Sequence, residues 1–97
     1  MNQFIIIPSY NEAKTIGKVI DDVKRYSSNI VVVDDGSTDD TQKAAKDVTI
    51  LKHLTNMGKG AAMKTGVEYA IKKNAKQIIF IDADGQHEAK EIPHFLD

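Results

Sequence analysis

The chain has 97 residues, of which 41% are hydrophobic and 28% charged, and this composition is typical of one globular domain with a single core. Its net charge of −1 argues against a general nucleic-acid-binding protein, whose surface would be basic. The absence of cysteine excludes disulfides and thiolate metal sites. It leaves the compartment open, and a cytoplasmic protein is the simpler expectation. No apolar run approaches the roughly 20 residues of a membrane span, and none fits a signal peptide.

The first third of the chain predicts a strand, a helix and a second strand. Residues 4–7 and 30–33 are continuous apolar runs, which are typical of strands covered on both faces in a parallel sheet. Between them, apolar residues recur at helical spacing from Ile16 to Tyr26. This spacing predicts an amphipathic helix of about four turns, for which Asn11 is a suitable N-cap.

The remainder predicts the same alternation of strands and helices. A short helix follows residue 39, a weaker third strand near a sheet edge covers 48–51, and a fourth strand covers 77–81. A helix from about 60 to 73 lies between the last two strands, and Asn74 is suited to end it in the left-handed conformation. Its predicted buried face is Met63, Val67, Ala70 and Ile71. The order predicts a three-layer α/β fold of Rossmann-like type, with four mostly parallel strands.

Polar residues follow three of the four predicted strands. They occupy positions 8–12 after the first strand, 34–37 after the second and 82–87 after the fourth. Ligands of open parallel sheets bind beyond the carboxyl ends of the strands, where the strand order reverses. We therefore expect the three segments to meet at one edge of the sheet and to form a binding site there.

The most informative of these segments is Asp82-Ala83-Asp84-Gly85. Side chains two residues apart on a strand point to the same side, so both carboxylates reach the rim of the sheet together. Hard oxygen ligands of this kind hold a divalent cation against a diphosphate. The alternative is that both aspartates are turn residues, which are common at strand ends. An EF-hand calcium loop does not fit, because the glycine stands too early.

For the other candidate residues, the sequence is compatible with both a structural role and a ligand-binding role. Asp35 is either a turn residue or an acceptor of hydrogen bonds from a ribose or a base. Tyr10 either covers the sheet edge or packs on a nucleobase. Lys59 lies in Gly58-Lys59-Gly60, which matches no complete phosphate-binding motif. Close packing of a small-residue helix start is the simpler interpretation there, although a lysine at a helix N-terminus attracts phosphate. His53, His87 and His94 are scattered. His87 either approaches the metal or is solvated, and a loop histidine is more often solvated.

Four segments together carry a family resemblance. They are residues 7–12 (IPSYNE), 32–41 (VVDDGSTDDT), 56–62 (NMGKGAA) and 82–87 (DADGQH). With these segments, in this order from end to end, the chain resembles the family 2 glycosyltransferases of the GT-A fold. Within that family it resembles the branch that transfers sugars to polyprenyl phosphates, typified by dolichyl-phosphate mannosyltransferase.

The resemblance implies that the chain binds a nucleotide sugar, either a GDP-sugar or a UDP-sugar. By this resemblance Pro8, Tyr10 and Glu12 line the nucleotide pocket, and Val33 and Asp35 contact the base and the ribose. The expected reaction is an inverting transfer of the sugar to an acceptor such as a polyprenyl phosphate.

The resemblance also implies the residues around the diphosphate. Asp82 and Ala83 lie along the ribose and diphosphate, and Asp84 and Gln86 hold Mg²⁺ or Mn²⁺. Such a metal neutralises the charge that develops on the leaving nucleoside diphosphate. Lys59 is a further, weaker candidate for a phosphate contact.

Catalytic domains of this family are considerably longer than the chain. Residues 1–97 are therefore interpreted as the donor-binding half of a truncated GT-A domain, with the base that deprotonates the acceptor expected beyond Asp97. A sheet cut in this way bares an edge strand, which favours association with a second copy. Lipid-phosphate acceptors imply a position at the cytoplasmic membrane surface.

Two alternatives from other functional classes remain open at this point. A phospho-receiver signalling domain also combines an acidic pair with an aspartate after a later strand, but its pair follows the first strand. Here Asp34 and Asp35 follow the second predicted strand. The other alternative is a nucleotide-binding module without catalytic activity, which the short length favours.

Overall fold

The computed structural model of the chain describes residues 3–85. The elements in chain order are β1 (Gln3–Ser9), α1 (Ile16–Val23), β2 (Ile30–Asp34), α2 (Thr41–Ala44), β3 (Thr49–Lys52), α3 (Lys59–Lys72) and β4 (Gln77–Phe80). The strands form one four-stranded sheet in the order β3-β2-β1-β4, and each neighbouring pair is parallel. The predicted parallel α/β architecture is confirmed, and β3 lies at an edge as expected.

The two faces of the sheet are packed differently. On one face, α1 packs large aliphatic side chains against the sheet. The buried cluster there includes Ile5, Ile7, Ile16, Val19, Ile20, Val23, Ile30, Val32 and Ile79. On the other face, the cluster under α3 combines Ile6, Val31 and Val33 with alanines of the helix.

Helix α3 buries a narrower stripe of residues than the sequence predicted. Its buried residues are Ala62, Gly66 and Ala70, whereas the predicted Ile71 is 61% exposed. The physical reason is the close approach of helix and sheet. A Cβ placed on Gly66 would lie 2.4 Å from Cγ2 of Ile6, so only small residues fit at this contact.

Helix α1 is shorter than predicted, with eight residues, and its N-cap is Thr15 rather than Asn11. Asn11 adopts the left-handed conformation, with φ of 53°. Its side chain accepts the backbone N–H of Thr38, at 2.8 Å, instead of capping the helix. The prediction for Asn74 is confirmed, since its φ is 64°.

The strand order places a crevice between β1 and β4. From β1 the chain runs outward to β2 and β3, then crosses to the other side of β1 to form β4. Such a reversal is where open α/β sheets bind ligands, at the carboxyl ends of the strands. Within residues 3–85, no helix has the length and apolar character needed to cross a membrane.

Candidate functional site

The three polar segments meet in one open cavity at the carboxyl edge of the sheet, as predicted. The cavity has a volume of about 150 Å³. Its lining residues are Pro8, Ser9, Tyr10, Glu12, Asp35, Lys59, Ala62, Asp82, Ala83 and Asp84. Small-molecule sites usually enclose roughly 300–1,000 Å³, so these residues form only part of a site for a ligand of nucleotide-sugar size.

The loops after β1 and β2 are tied together beside the cavity. The N–H of Asn11 donates to Oγ of Ser37 at 2.9 Å, and its Oδ1 accepts from Thr38 in the same loop. The N–H of Glu12 donates to Oγ1 of Thr41 at 2.9 Å. These bonds restrain the backbone at Glu12, and they therefore limit where its side chain can lie in the cavity. They also explain why α1 begins at Ile16 and not directly after Asn11.

Asp35 lines the cavity with a nearly buried carboxylate, 3% exposed as a residue. Its Oδ1 accepts from Nδ1 of His53 at 2.7 Å and from the N–H of Met57 at 2.9 Å, and its Oδ2 accepts from the N–H of Gly58 at 2.8 Å. Burial alone would raise the pKa of Asp35, but these hydrogen bonds outweigh it and hold that pKa below its ordinary value. A carboxylate has about four acceptor positions, so one on Oδ2 is left for a further donor.

Asp34, the other member of the acidic pair, has the turn role considered from the sequence. Its carboxylate is buried and accepts the N–H of Ser37 at 3.0 Å and Nε2 of Gln42 at 2.9 Å. The two neighbouring aspartates therefore differ in function. One shapes the loop after β2, and the other faces the cavity.

Gly36 allows two loops to touch directly. Its φ is +76°, and a Cβ there would lie 2.4 Å from the carbonyl carbon of Thr55 and 2.6 Å from the nitrogen of Asn56. Both atoms belong to backbone, so they cannot turn aside as a side chain can. The segment 54–58, which we call the glycine loop, thus packs directly against Gly36. Its residues Met57 and Gly58 donate backbone hydrogen bonds to the carboxylate of Asp35.

The neighbouring carboxylates of the cavity raise the proton affinity of Glu12. The pKa of Glu12 lies above its ordinary value, first because of burial and next because of the negative charge of Asp84. The charges of Asp39 and Asp82 act in the same direction. This side of the cavity therefore has a negative potential, which favours a bound cation.

Lys59, the first residue of α3, reaches across the cavity. Its Nζ lies 2.7 Å from Oδ1 of Asp82, and the two side chains are 64% and 31% exposed. Exposed pairs of this kind contribute about 0–1 kcal/mol, so a stronger ligand of either partner can displace the other. The lysine thus stands among the predicted diphosphate residues, while its contact with phosphate stays a prediction.

The other predicted residues have mixed positions. Tyr10 lies at the cavity rim and is 44% exposed. Ala83 is buried, and its carbonyl accepts Oγ1 of Thr15 at 2.5 Å. Val33 is not among the lining residues. Its side chain is completely buried in the cluster under α3, and its predicted contact with the base and ribose stays a prediction. Gln86 lies outside the described residues.

Ser9 lies in the predicted polar segment 8–12 and Ala62 in the quoted segment 56–62, but neither was assigned a role from the sequence, and His53 was left without one. His53 is the residue directly after β3, so it stands at the same sheet edge as the polar segments. That position was a usable signal. Its ring contacts, described below, depend on residues distant in sequence.

The described residues fit a metal that binds together with a phosphate ligand. Within residues 3–85, no three acidic or histidine side chains are grouped so that they could hold an ion by themselves. Mg²⁺ is usually held by one or two carboxylates plus substrate phosphates and water, not by a cage of protein ligands. Asp84 beside Glu12 supplies carboxylate oxygens of the type such an ion prefers.

Comparison with known families decides the class of the protein. Residues 4–97 match the family described as Glycosyl transferase family 2. The chain belongs to this family. The predicted resemblance is confirmed, and the phospho-receiver alternative loses its support. Its fold also differs, because a receiver sheet pairs the first strand with the second and third, whereas β1 pairs here with β2 and β4.

Related sequences include enzymes that act on polyprenyl phosphates. The chain is 44% identical over 92 residues to an uncharacterized protein of Methanocaldococcus jannaschii, covering 92% of the chain and 38% of the relative. It is 35% identical to the UDP-N-acetylglucosamine–dolichyl-phosphate N-acetylglucosaminyltransferase of Methanococcus voltae (92% and 43% covered). It is 33% identical to the undecaprenyl-phosphate mannosyltransferase of Micrococcus luteus (100% and 44% covered). The chain thus spans less than half the length of these relatives.

Solved structures confirm the GT-A fold. Glucosyl-3-phosphoglycerate synthase of Mycobacterium tuberculosis, in complex with Mn²⁺, UDP-glucose and phosphoglyceric acid, superposes with a TM-score of 0.70 and 25% identity. The match covers 94% of the chain and 36% of the synthase. The same synthase in complex with Mg²⁺ and UDP superposes with a TM-score of 0.71.

Proposed function

We propose that residues 1–97 form the donor-binding part of a glycosyltransferase and bind a nucleoside-diphosphate sugar together with Mg²⁺ or Mn²⁺. The observation that carries the proposal is the cavity between β1 and β4, which is lined by the carboxylates of Glu12, Asp82 and Asp84, and in which the charge of Asp84 helps to raise the pKa of Glu12. Further support comes from the relatives named for transfer of sugars from UDP-linked donors and from the synthase bound to UDP-glucose and Mn²⁺.

In this proposal the nucleoside lies across the carboxyl ends of β1 and β2. Tyr10 at the rim offers a ring face for a base, with Pro8 and Glu12 beside it. The remaining acceptor position on Oδ2 of Asp35 takes one N–H or O–H of the base or ribose. For Val33, we restrict the predicted contact to its backbone, since its side chain is buried in the core.

The diphosphate and its metal lie at the carboxyl end of β4. Asp82 and Ala83 line the path of the ribose and diphosphate, and Asp84, with Gln86, holds the ion. When bound, the metal neutralises charge on the leaving nucleoside diphosphate. Lys59 exchanges Asp82 for a phosphate oxygen, which its weak, exposed ion pair permits.

The acceptor in this proposal is a lipid phosphate of the polyprenyl type, met at the cytoplasmic membrane surface. The support is the naming of several relatives for dolichyl or undecaprenyl phosphate. Because the chain covers less than half of these relatives and its cavity is small, we expect these 97 residues alone to bind the donor without transferring the sugar. In this respect we expect the isolated chain to behave as a nucleotide-binding module without catalytic activity, which was one of the alternatives from the sequence.

Association of two copies through the sheet edge belongs to the same proposal. β4 is the end strand of the sheet, and Phe80 on it is 37% exposed. Such an edge offers unpaired backbone groups to another strand. Sedimentation of the purified chain is expected to show a dimer, and a monomer at all concentrations would contradict this part.

Calorimetric titration with UDP-glucose and GDP-mannose, each with Mn²⁺ or with EDTA, tests the proposed function. We expect one of the nucleotide sugars to bind only with the metal, and Asp84→Asn to abolish this binding. Asp21→Asn is the matched control, because Asp21 is exposed on α1 and does not line the cavity. Binding that ignores the metal, or that survives in Asp84→Asn, would refute the proposal.

A further inference from the structure

His53, directly after β3, is hydrogen-bonded at both ring nitrogens. Its backbone N–H donates to the carbonyl of Asp34 at 2.8 Å, which continues the pairing of β2 with β3 by one residue. Its side chain is 11% exposed, and that of its partner Asp35 is 4% exposed. Water therefore competes little for the contacts of the ring.

The two ring contacts define which nitrogen carries the proton. Nδ1 lies 2.7 Å from Oδ1 of Asp35, and Nε2 lies 2.8 Å from Oγ1 of Thr65. An ionised carboxylate only accepts hydrogen bonds, so Nδ1 donates to Asp35. In the neutral ring, Nε2 then accepts the hydroxyl proton of Thr65. The ring thus connects the loop after β2 to the body of α3.

Asp35 passes this constraint on to the glycine loop. Its carboxylate accepts the N–H groups of Met57 and Gly58, the two residues directly before Lys59. Gly58 has φ of +101°, a conformation that needs a fixed partner to be populated in one form. The orientation of this carboxylate therefore determines the position of the first turn of α3 and of the Lys59 side chain that projects from it.

We propose that His53 is a positioning residue of the donor site, which orients the Asp35 carboxylate and through it the glycine loop and Lys59. The part that concerns nucleotide affinity rests on the proposed function, whereas the part that concerns the loop does not. Loss of the Nδ1–H donor lets the carboxylate turn, so that the acceptor position on Oδ2 no longer faces the cavity. His53 itself does not line the cavity, and it acts only through Asp35.

Two amide substitutions separate positioning from packing. In His53→Asn the side-chain nitrogen can stand near the place of Nδ1 and donate to Asp35. In His53→Gln the nitrogen stands near the place of Nε2, so the contact with Thr65 is kept and the donor to Asp35 is lost. Both variants remove the ring, so a role in packing alone predicts the same effect for both.

Hydrogen exchange on the full chain, without any ligand, measures how well the amides of the glycine loop are protected. We expect the amides of Met57 and Gly58 to exchange about tenfold faster in His53→Gln than in the original chain, and to stay within about threefold in His53→Asn. Amides in the middle of β1, such as that of Ile6, serve as the internal reference for global opening. Equal exchange of Met57 and Gly58 in both variants, relative to Ile6, would overturn the proposal.

Calorimetry with UDP-glucose, GDP-mannose and Mn²⁺ then reads the consequence for binding. The affinity of whichever donor binds is expected to fall about tenfold in His53→Gln, the effect of one lost hydrogen bond to a charged group, and to be restored in His53→Asn. An unchanged affinity in His53→Gln would overturn the link to binding. If the original chain binds neither donor, the proposed function fails, and the exchange data still decide whether His53 positions the loop.

Discussion

The two sides of the cavity shift the pKa of a carboxyl group in opposite directions. On one side, Asp35 is surrounded by hydrogen-bond donors, and its pKa lies below the ordinary value. On the other side, Glu12 has Asp84 as its most strongly acting charged neighbour, and its pKa lies above the ordinary value. The first carboxylate is compensated by the protein itself. The second is not compensated in this way and would be stabilised by a cation, which is the physical difference between a supporting residue and the proposed metal site.

The largest effect is expected for Asp84→Asn, which removes charge from the second side only. Metal-dependent affinity for the donor should fall about 100-fold or more, because a principal carboxylate ligand is lost. The pKa of Glu12, followed by NMR of its side-chain carboxyl, should fall towards its ordinary value because the strongest neighbouring charge is gone. A Glu12 titration that does not move would break the contrast between the two sides.

Asp35→Asn tests the first side and should act on stability. An amide cannot accept all three donors, and one N–H group of the asparagine would face the donors of the glycine loop. We expect a loss of about 1–3 kcal/mol in the free energy of unfolding, measured by urea denaturation at neutral pH. Glu12→Gln is the contrasting variant, with unchanged or higher stability, since it removes a charge that is disfavoured in the folded chain.

The dependence of stability on pH sharpens this comparison. A carboxyl whose pKa is lowered on folding stabilises the folded state above its unfolded pKa, here the ordinary 3.8, and this contribution is lost as pH falls through the lowered value. Urea denaturation between neutral pH and strongly acidic pH should therefore show a loss below about pH 4 that is smaller in Asp35→Asn. An equally steep loss in the variant would show that Asp35 is not compensated as described.

The side formed by α3 also depends on the close approach of this helix to β1. Gly66→Ala should destabilise the fold by about 1–3 kcal/mol, because the new methyl group meets the fully buried Ile6 at 2.4 Å. Gly60→Ala, in the same helix, is the matched control, since nothing lies within 4 Å of its added Cβ. There we expect a gain of up to about 1 kcal/mol from helix propensity. Thermal or urea unfolding of both variants measures the difference.

The smallest effect is expected for Lys59→Met, which removes the ion pair that joins the two sides. Its exposed geometry predicts a change in the free energy of unfolding of about 0–1 kcal/mol, which decreases with added salt. Urea denaturation at low and high ionic strength measures it. A larger, salt-independent loss would show that Lys59 supports the fold and is not a displaceable partner of Asp82.

The sequence was sufficient for the features that follow from local pattern. Continuous apolar runs gave the strands, and polar residues after three of them gave the position of the cavity. Two further features depend on contacts between residues distant in sequence. The local sequence predicts Asn11 as a helix cap, but its side chain instead accepts a hydrogen bond from the N–H of Thr38. The role proposed for His53 likewise depends on its contacts with Asp35 and Thr65.

Packing geometry explains the error in the predicted face of α3. That face was chosen by hydrophobicity, but at the distance set by Gly66 and Ile6 the large side chains are excluded from the contact. Val33 stands one residue before the end of β2, and alternation along the strand turns its side chain towards α3, so its predicted contact stays a prediction for the backbone. Neither the depth of a helix nor the face of a residue near a strand end is fixed by composition.

The bridge between Lys59 and Asp82 has a kinetic consequence. A single ammonium group on a long, exposed stem already sits where a doubly charged ion and a diphosphate are proposed to enter. An incoming ion alone meets the repulsion of that ammonium group, whereas a diphosphate that arrives with the ion offers the lysine a new partner. The order of events that this favours is joint entry of ion and nucleotide, with the side chain of Lys59 swinging from one anion to the other while the backbone stays still.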